Sequence, residues 1–311
     1  MADSLDARGI NIRYGLERVE GDALLVIGGT RSLWQLRSWQ RAGVPIVQRL
    51  DGMNWIHRHT PTGLRHYLRA EFNNLLLRSV RRMADMVVYQ SEFARRWWER
   101  THGAADAVAH VVHNGVPLDV YTPLGPESRP DDRVRLAVVE GRLGGGYEVG
   151  LDWAVALAGG LERRLGRPVE LVVAGEASET VRAAYPREVV WKGLLAPEDV
   201  PALHRSVHLL FSTDLHPACP NSVIEAMACG NPVVAFDTGA IPELVTNSSG
   251  AVVPYGADPW RVEPPDIDGL IEGAISVVAE QDRFRAGARV RAEQAFGVAR
   301  MTDSYLSALG W

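Results

Sequence analysis

The sequence predicts an α/β protein with two domains, each built on a parallel sheet. Short runs rich in Val, Ile and Leu alternate with amphipathic stretches along the whole chain, and this alternation is typical of βαβ units. The length of 311 residues corresponds to about two domains of ~100–200 residues. A segment rich in proline, residues 122–132, interrupts both patterns. These observations predict two open α/β domains joined by a linker.

The predicted elements follow the alternation in chain order. Strands are expected where β-branched and leucine residues form short runs bounded by turn residues, at 23–27, 45–50, 86–89, 110–112, 135–139, 169–174, 189–191, 208–211, 233–236 and 251–253. Helices are expected where apolar residues recur with a helical period, at 32–42, 63–84, 92–101, 152–165, 202–206, 222–229, 267–280, 282–296 and 301–309.

The domain boundary is expected in the segment 122–132. Its three prolines, one glycine and polar residues cannot continue a helix or a strand, so it reads as a linker. The predicted N-terminal domain spans 1–121 and the C-terminal domain 133–297. The last helix, 298–311, is expected to join the N-terminal domain.

Composition narrows the class of protein. Hydrophobic residues make up 46% and charged residues 23% of the chain, which is ordinary for a globular protein, and no run approaches the ~20 apolar residues of a membrane span. The N-terminus lacks the basic and apolar regions of a signal peptide. Cys219 and Cys229 are the only cysteines, too few for a disulfide framework or a zinc site. We therefore expect a cytoplasmic protein without a metal.

Charge is distributed unevenly. The net charge is −5, and with no nucleic-acid reader motif we expect no nucleic-acid partner. From Arg65 to Arg100, however, eight arginines face four acids. A basic amphipathic helix there would make weak contact with an anionic membrane surface or an acidic acceptor. The alternative is a solvated face with Leu75, Leu76 and Leu77 turned to the core, and we prefer this second interpretation.

The segment from residue 219 to 245 carries the clearest chemical signal. Ser222 and Glu225 have the spacing of a capping box, and Gly230 would end the helix that they begin. The amides of Asn221, Ser222 and Val223 would lie at a helix N-terminus, where anions are attracted. The alternative to a capping role for Glu225 is that it accepts hydrogen bonds from a sugar diol beside a bound phosphate.

The same segment resembles the donor-binding signature of the retaining family 4 glycosyltransferases. Residues 225–234 read Glu-Ala-Met-Ala-Cys-Gly-Asn-Pro-Val-Val and match that family's pattern at every defined position. Four further segments resemble family motifs in the same order along the chain, namely 83–92, 113–118, 139–143 and 237–245. The resemblance covers about residues 83 to 250.

The resemblance implies two facing Rossmann-like domains of the GT-B fold, the N-terminal one shortened. It also implies transfer of a sugar from a nucleoside-diphosphate sugar to a hydroxyl acceptor with retention, without a metal or other cofactor. Arg142 would stabilise the leaving diphosphate, Glu225 would hold the ribose, and the amides of residues 221–223 would face the phosphates. Gly141, Lys192 and Leu194 are expected on the donor side; the alternative for Lys192 is an exposed surface residue, which we prefer.

The resemblance also points to residues of the first domain. Asp51 aligns with a family histidine that touches the donor sugar, although an Asp-Gly turn with Gly52 is the alternative. Gly52, Asn54, His57 and Asn114 are expected on the acceptor or sugar side. A structural role is the alternative for His57, as it is for His59 on the same predicted loop.

Two positions depart from the family pattern. The family pattern has two glutamates separated by seven residues; Glu225 matches the second, but the position of the first is Pro217. The family's diphosphate-binding lysine falls on Tyr147. Asp214 or His216 is close enough in sequence to replace the glutamate. These departures keep two alternatives open, a non-catalytic nucleotide-sugar-binding or partner subunit and a nucleotide-sugar epimerase of the same fold.

Overall fold

The computed structural model describes residues 1–144, 146, 148–185 and 189–311. The chain divides into two compact units. The first comprises Met1–Asn114 with Val298–Trp311, and the second comprises Gly115–Gly297. The division therefore falls ahead of the proline-rich segment 122–132, and the C-terminal helix lies in the first unit.

The first unit is a four-stranded parallel sheet with helices. Its strands lie in the order β1-β2-β3-β4, with β1 at Leu24–Ile27, β2 at Ile46–Leu50, β3 at Met86–Tyr89 and β4 at Val108–Val111. Its helices are α1 (Ala2–Asp6), α2 (Leu33–Arg41), a 3-10 turn (Ile56–Arg58), α3 (Leu64–Met83), α4 (Glu92–His102) and the C-terminal helix (Val298–Leu309).

The second unit contains a six-stranded parallel sheet in the order β10-β9-β8-β5-β6-β7. Its strands are β5 (Val134–Leu143), β6 (Val169–Ala177), β7 (Val189–Gly193), β8 (Leu209–Phe211), β9 (Val233–Phe236) and β10 (Gly250–Val253). Its helices are α5 (Val149–Leu165), α6 (Glu179–Ala184), α7 (Val200–Arg205), α8 (Asn221–Ala228), α9 (Ile241–Leu244), a 3-10 turn (Pro259–Arg261), α10 (Ile267–Ala279) and α11 (Gln281–Ala295).

These two parallel α/β sheets confirm the predicted fold class. In the second sheet the chain builds outward from β5 in one direction through β6 and β7, and from β8 in the other through β9 and β10. The strand order therefore reverses between β5 and β8. Such a reversal is the topological switch point at which open α/β sheets bind their ligands.

The strand β5 is longer than the sequence predicts. It continues past Val139 to Leu143, pairing Arg142 with Glu176 of β6 after a shift of register. The neighbouring β6 is long enough to pair with this extension, and Leu143 is buried. Residues 140–143, which the sequence leaves outside the predicted strand, are thus the irregular end of the central strand.

The helix α8 is fixed in the core of the second unit. Val223, Ile224 and Met227 are fully buried and pack in one cluster with residues of the sheet and of α11. Gly230 ends the helix at φ +64°, its amide bonding Met227 O (2.9 Å) while the Asn231 amide bonds Ala226 O (2.8 Å). This pair of backbone hydrogen bonds is a Schellman motif. The predicted helix end at Gly230 is confirmed.

The helix α3 corrects one prediction. Of the three leucines expected in the core, Leu77 is 4% exposed but Leu75 is 55% exposed, and Leu76 is half-buried. The core face instead comprises Ala70, Asn74, Leu77, Val80 and Arg81. Because the helix turns 100° per residue, three consecutive leucines cannot share one face. Within the described residues, no helix is long and apolar enough to cross a bilayer.

Candidate functional site

A pocket of about 220 Å³ lies at the switch point of the second sheet. Three of its lining residues, Glu140, Arg142 and Leu143, come from the end of β5, and Thr213 and Asp214 follow β8. The carboxyl ends of neighbouring parallel strands meet at one edge of the sheet, so their side chains converge there. The pocket is therefore where the fold places a ligand.

Arg142 supplies a positive charge to the pocket, and among the described residues it forms only a long ion pair. Its side chain is 77% exposed, and its Nε lies 3.9 Å from Oε2 of Glu176, which is 64% exposed. An ion pair that is this exposed and this long contributes little to stability. A Cβ added at Gly141 would meet nothing within 4 Å, so space is open beside the arginine. This guanidinium is therefore available to an anionic ligand.

Two carboxyl groups share the same pocket. Thr213 Oγ1 donates a hydrogen bond to Glu140 Oε1 (3.1 Å). Desolvation and the nearby charge of Asp214 raise the pKa of Glu140, and desolvation raises the pKa of Asp214. Two like charges in a desolvated site disfavour each other, so the neutral form of Glu140 persists to higher pH than that of an ordinary carboxyl group. From the sequence, no role was assigned to Glu140 or Thr213. Glu140 could have been identified as a polar residue near the carboxyl end of the central strand.

The start of α8 differs from the predicted capping box. The helix begins at Asn221 with Pro220 as its N-cap and no side-chain cap, and the amide of Ile224 bonds Pro220 O (3.4 Å). Ser222 is thus inside the first turn, so its predicted capping role is wrong. Pro220 holds the extended backbone that an N-cap requires (φ −69°, ψ 123°), which moves the start upstream. The amides of residues 221–223 remain those of the first turn, which have no intrahelical acceptor.

Glu225 does not reach back to the cap. It lies beyond the first turn, and its carboxylate accepts a hydrogen bond from the hydroxyl of Tyr121, a buried residue of the same core. Desolvation raises the pKa of Glu225, and the bond from Tyr121 partly opposes that rise. The predicted contact of Glu225 with a ribose stays a prediction.

The loop between β8 and α8 is held in one conformation. His216 has φ 57° and stacks on Trp260 with ring centroids 3.5 Å apart; desolvation lowers its pKa to about 4. Pro217 O accepts a hydrogen bond from the Ala240 amide (2.8 Å). Of the two residues that could replace the family glutamate, Asp214 lines the pocket and His216 is buried against Trp260.

Lys192 and Leu194 lie at the end of the edge strand β7 and are both exposed. They do not line the pocket, from which β6 separates β7. Tyr147 and Gly145, which the sequence places in the glycine-rich segment after β5, lie outside the described residues. The predicted donor contacts of Lys192 and Leu194 stay predictions.

In the first unit, the segment after β2 is anchored through its backbone. The Asp51 carbonyl accepts a hydrogen bond from Trp98 Nε1 (2.7 Å), and the Asp51 side chain is exposed. A Cβ at Gly52 would lie 2.9 Å from the Trp97 ring, so the chain passes close to that ring. The proposed contact of Asp51 with a sugar stays a prediction.

The remaining residues predicted from the first unit take part in internal hydrogen bonds. The backbone N–H (2.9 Å) and the side-chain Nδ2 (3.1 Å) of Asn54 both donate to Asn74 Oδ1, and Asn74 Nδ2 donates to the Asn54 carbonyl (2.8 Å). His57, buried, has Nε2 2.9 Å from Glu71 Oε1. These contacts give both residues a structural role.

Asn114 is placed in a similar way. It is buried, accepts from Arg49 (2.6 Å) and donates to Gln90 (3.3 Å), so it joins the ends of β2, β3 and β4. His59 is exposed, with its ring 6.0 Å from that of Trp55. Across the described ranges, no group of three or more His, Cys, Asp or Glu side chains could hold a metal ion.

The second unit thus has an exposed arginine at the end of β5, at its switch point, and the helix α8 follows the neighbouring strand β8. Residues 135–279 match the family profile described as glycosyl transferases group 1. That segment runs from β5 to α10 and contains the pocket. This part of the chain, which is less than half of its length, is therefore similar to the group 1 glycosyl transferases.

Individual relatives agree with this assignment. The chain is 25% identical over 247 residues to alpha-maltose-1-phosphate synthase of Mycobacterium tuberculosis, covering 72% of this chain and 62% of that protein. Sucrose-phosphate synthase from Thermosynechococcus elongatus has a similar fold, with a TM-score of 0.67, 14% identity and coverage of 93% of this chain and 73% of the other. The Anabaena HepE protein in complex with UDP and glucose has a TM-score of 0.66, 19% identity and coverage of 92% and 77%. The present chain spans less than two thirds of the length of the curated relative.

Proposed function

We propose that this protein transfers a sugar from a nucleoside-diphosphate sugar to a hydroxyl acceptor, with retention and without a metal. The observation that carries the proposal is the placement of Arg142 in the pocket at the switch point of the family-matched unit, where its closest carboxylate among the described ion pairs lies 3.9 Å away. A diphosphate leaving group develops negative charge as the glycosidic bond breaks. A preorganised cation beside it stabilises that charge.

The first turn of α8 provides the second part of the proposed donor site. The amides of Asn221, Ser222 and Val223 would donate to phosphate oxygens, since helix N-termini favour anions. The burial of α8 in the core would keep these donors in place without reorganisation. Arginine and the backbone amides together would then stabilise the charge of the leaving diphosphate, a role that a metal ion has in other transferases.

Glu225 would hold the ribose of the donor. A carboxylate has two oxygens and about four acceptor directions, and the hydroxyl of Tyr121 occupies one of them. The leaving phosphate would take the proton of the acceptor hydroxyl on the same face of the sugar, so no carboxylate nucleophile is needed. A hexose donor is supported by the HepE neighbour, which was solved with UDP and glucose.

A second candidate is a nucleotide-sugar-binding subunit without transferase activity. It is favoured by Pro217, which is buried and has no polar group for a donor sugar. An epimerase of the same fold is a further alternative. The three functions differ in what becomes of the nucleotide: a transferase releases it in step with transfer, a binding subunit retains the intact donor, and an epimerase converts the sugar without net release.

The test combines binding and turnover. UDP-, GDP- and ADP-sugars are screened by thermal shift, where a ligand at about 100 times its Kd stabilises by about 2.7 kcal/mol. Nucleotide release and sugar transfer are then measured for the best donor with a panel of hydroxyl acceptors. Arg142→Ala should lose most of the nucleotide-dependent activity, whereas Arg163→Ala, at an exposed arginine of α5, should retain it. Unchanged donor binding and turnover in Arg142→Ala would refute the proposed diphosphate position.

A further inference from the structure

The helix α3 has a row of apolar side chains on its solvent side. Leu64 is 75% exposed, Leu68 60%, Phe72 48% and Leu75 55%. Their spacing of four, four and three residues places them on one face of the helix, opposite the buried face that contacts the sheet. We call these four residues the α3 stripe. A contiguous apolar row facing water is unusual on a monomeric surface and marks an interaction site.

Positive charge borders the α3 stripe on both sides. By the helical period, Arg65 and Arg69 follow one edge, Arg78 lies along the other, and Arg82 continues the row towards the C-terminal end of the helix. Arg65, Arg69 and Arg82 are exposed. Within the part of the chain that the structure describes, Arg65 and Arg69 form no ion pair with a carboxylate.

Little negative charge offsets these arginines. Glu71 is the single acid of α3, and it is already engaged by Arg58 (2.6 Å) and His57 (2.9 Å). The hydrogen bond from Arg58 is the main reason that its pKa falls to about 2. Arg31, from the segment before α2, adds a further guanidinium 5.9 Å above the Phe72 ring. The surface around the α3 stripe is therefore apolar at its centre and cationic at its edges.

We propose that the α3 stripe docks on a bilayer surface that contains anionic lipids. The helix of 20 residues would lie flat, with Leu64, Leu68, Phe72 and Leu75 entering the boundary between headgroups and acyl chains. The arginines would extend along both sides to the lipid phosphates, with their apolar stems against the hydrocarbon. This inference concerns the first unit alone and does not depend on the proposed donor site.

The charges favour a lipid surface over a second copy of the chain. A two-fold contact through the α3 stripe would repeat the same patch on both partners and would bring arginines of one copy towards arginines of the other. Like charges at an interface oppose association. A surface of lipid phosphates offers the opposite charge along the whole length of the row, which fits arginines on both edges.

Vesicle co-sedimentation tests the proposal with the whole chain. The wild-type protein should sediment with vesicles of phosphatidylcholine and phosphatidylglycerol, not with phosphatidylcholine alone, and should detach as salt is added. Leu68→Glu with Phe72→Glu should abolish sedimentation. Arg65→Ala with Arg69→Ala should lower the partition constant by roughly 30-fold. Leu124→Glu is the matched control, since Leu124 is a 79% exposed leucine of the second unit, and it should bind as the wild type does.

Three results would overturn the proposal. The first is failure of the wild type to sediment with the anionic vesicles. The second is undiminished binding by Leu68→Glu with Phe72→Glu. The third is a wild-type dimer in light scattering that the same variant converts to monomer, which would assign the stripe to self-association. Melting curves check that each variant is folded, and Leu64→Ser, in the first turn of α3, replaces the double variant if that one does not fold.

Discussion

The hydroxyl of Tyr121 donates a hydrogen bond to the carboxylate of Glu225. Tyr121 is 7% exposed and belongs to the same core cluster as the apolar residues of α8. Desolvation raises the pKa of both groups. A buried phenol thus interacts with a carboxylate on α8, and that carboxylate retains acceptor capacity for a ligand.

Tyr121→Phe should weaken both the fold and donor binding. Loss of a hydrogen bond to a charged group costs on the order of 1.5–3 kcal/mol of unfolding free energy. Because the bond from Tyr121 lowers the pKa of Glu225, its removal should raise that pKa further. The pH below which donor affinity falls should therefore be higher in the variant than in the wild type. Urea denaturation and calorimetric titration of the nucleotide at several pH values measure the two effects.

The control for this variant is Tyr185→Phe. Tyr185 also donates to a carboxylate, Asp152 Oδ1 (2.5 Å), but this carboxylate belongs to α5 and not to α8. It should change stability without shifting the pH profile of donor binding. An equal shift in both variants would show that Glu225 does not govern that profile.

The carboxyl pair of the pocket should make stability fall as the pH rises. Burial and mutual repulsion raise the pKa values of Glu140 and Asp214 in the folded protein, so the folded state holds more protons than the unfolded state above the ordinary carboxyl range. The unfolding free energy then decreases with pH until the pair is fully ionised. Glu140→Gln removes one charge, so the variant should lose part of this slope and be the more stable form at alkaline pH.

Denaturation curves over a pH series test this slope. Glu198→Gln, at an exposed carboxyl of the same unit, is the control and should keep the slope of the wild type. Identical slopes in Glu140→Gln and the wild type would mean that the pKa of Glu140 is not raised in the folded protein.

The sequence predicts the central strands well because β2, β8 and β9 are buried along almost their whole length, and β8 and β9 read as continuous apolar runs. It misplaces the start of α8, since Ser222 has the chemistry of an N-cap but Pro220 has the backbone conformation that the position requires. The local sequence indicates only which residue types favour an N-cap. The residue that becomes the N-cap depends on the path of the loop that enters the helix. That path depends on the distant contacts of His216 and Pro217.

The site is predictable only where its residues carry a familiar motif. Arg142 follows from such a motif, and the structure places it in the pocket. Glu140 and Thr213 are brought together by the pairing of β5 with β8, across 73 positions of sequence, and no local pattern encodes that meeting. The exposure of Leu75 is likewise invisible in the sequence, because a leucine run does not reveal which helix face meets the sheet.

Asn74→Ala should destabilise the first unit. Its side chain accepts from the Asn54 amide (2.9 Å) and donates to the Asn54 carbonyl (2.8 Å), so the substitution leaves two backbone groups without this partner. Each unsatisfied buried group costs about 1–3 kcal/mol. Chemical denaturation measures the loss. Asn73→Ala, at the exposed neighbouring position of α3, should change stability by less than about 0.5 kcal/mol, and an equal loss in both variants would contradict the role of Asn74.

Gly239→Ala should distort the loop between β8 and α8. Gly239 has φ +60°, and an added Cβ would collide with Cδ and the backbone N of Pro217. The backbone would therefore have to move, in addition to the strain of a left-handed conformation in a residue with a side chain. Gly166→Ala separates the two effects, because Gly166 has φ +63° with nothing within 4 Å of the added Cβ. It should cost only the strain, about 1 kcal/mol. Gly239→Ala should cost more than that in denaturation and should also weaken donor binding, since Pro217 lies between Asp214 of the pocket and the first turn of α8. Equal costs in the two variants, with unchanged donor affinity, would show that the loop accommodates the methyl group without moving the site.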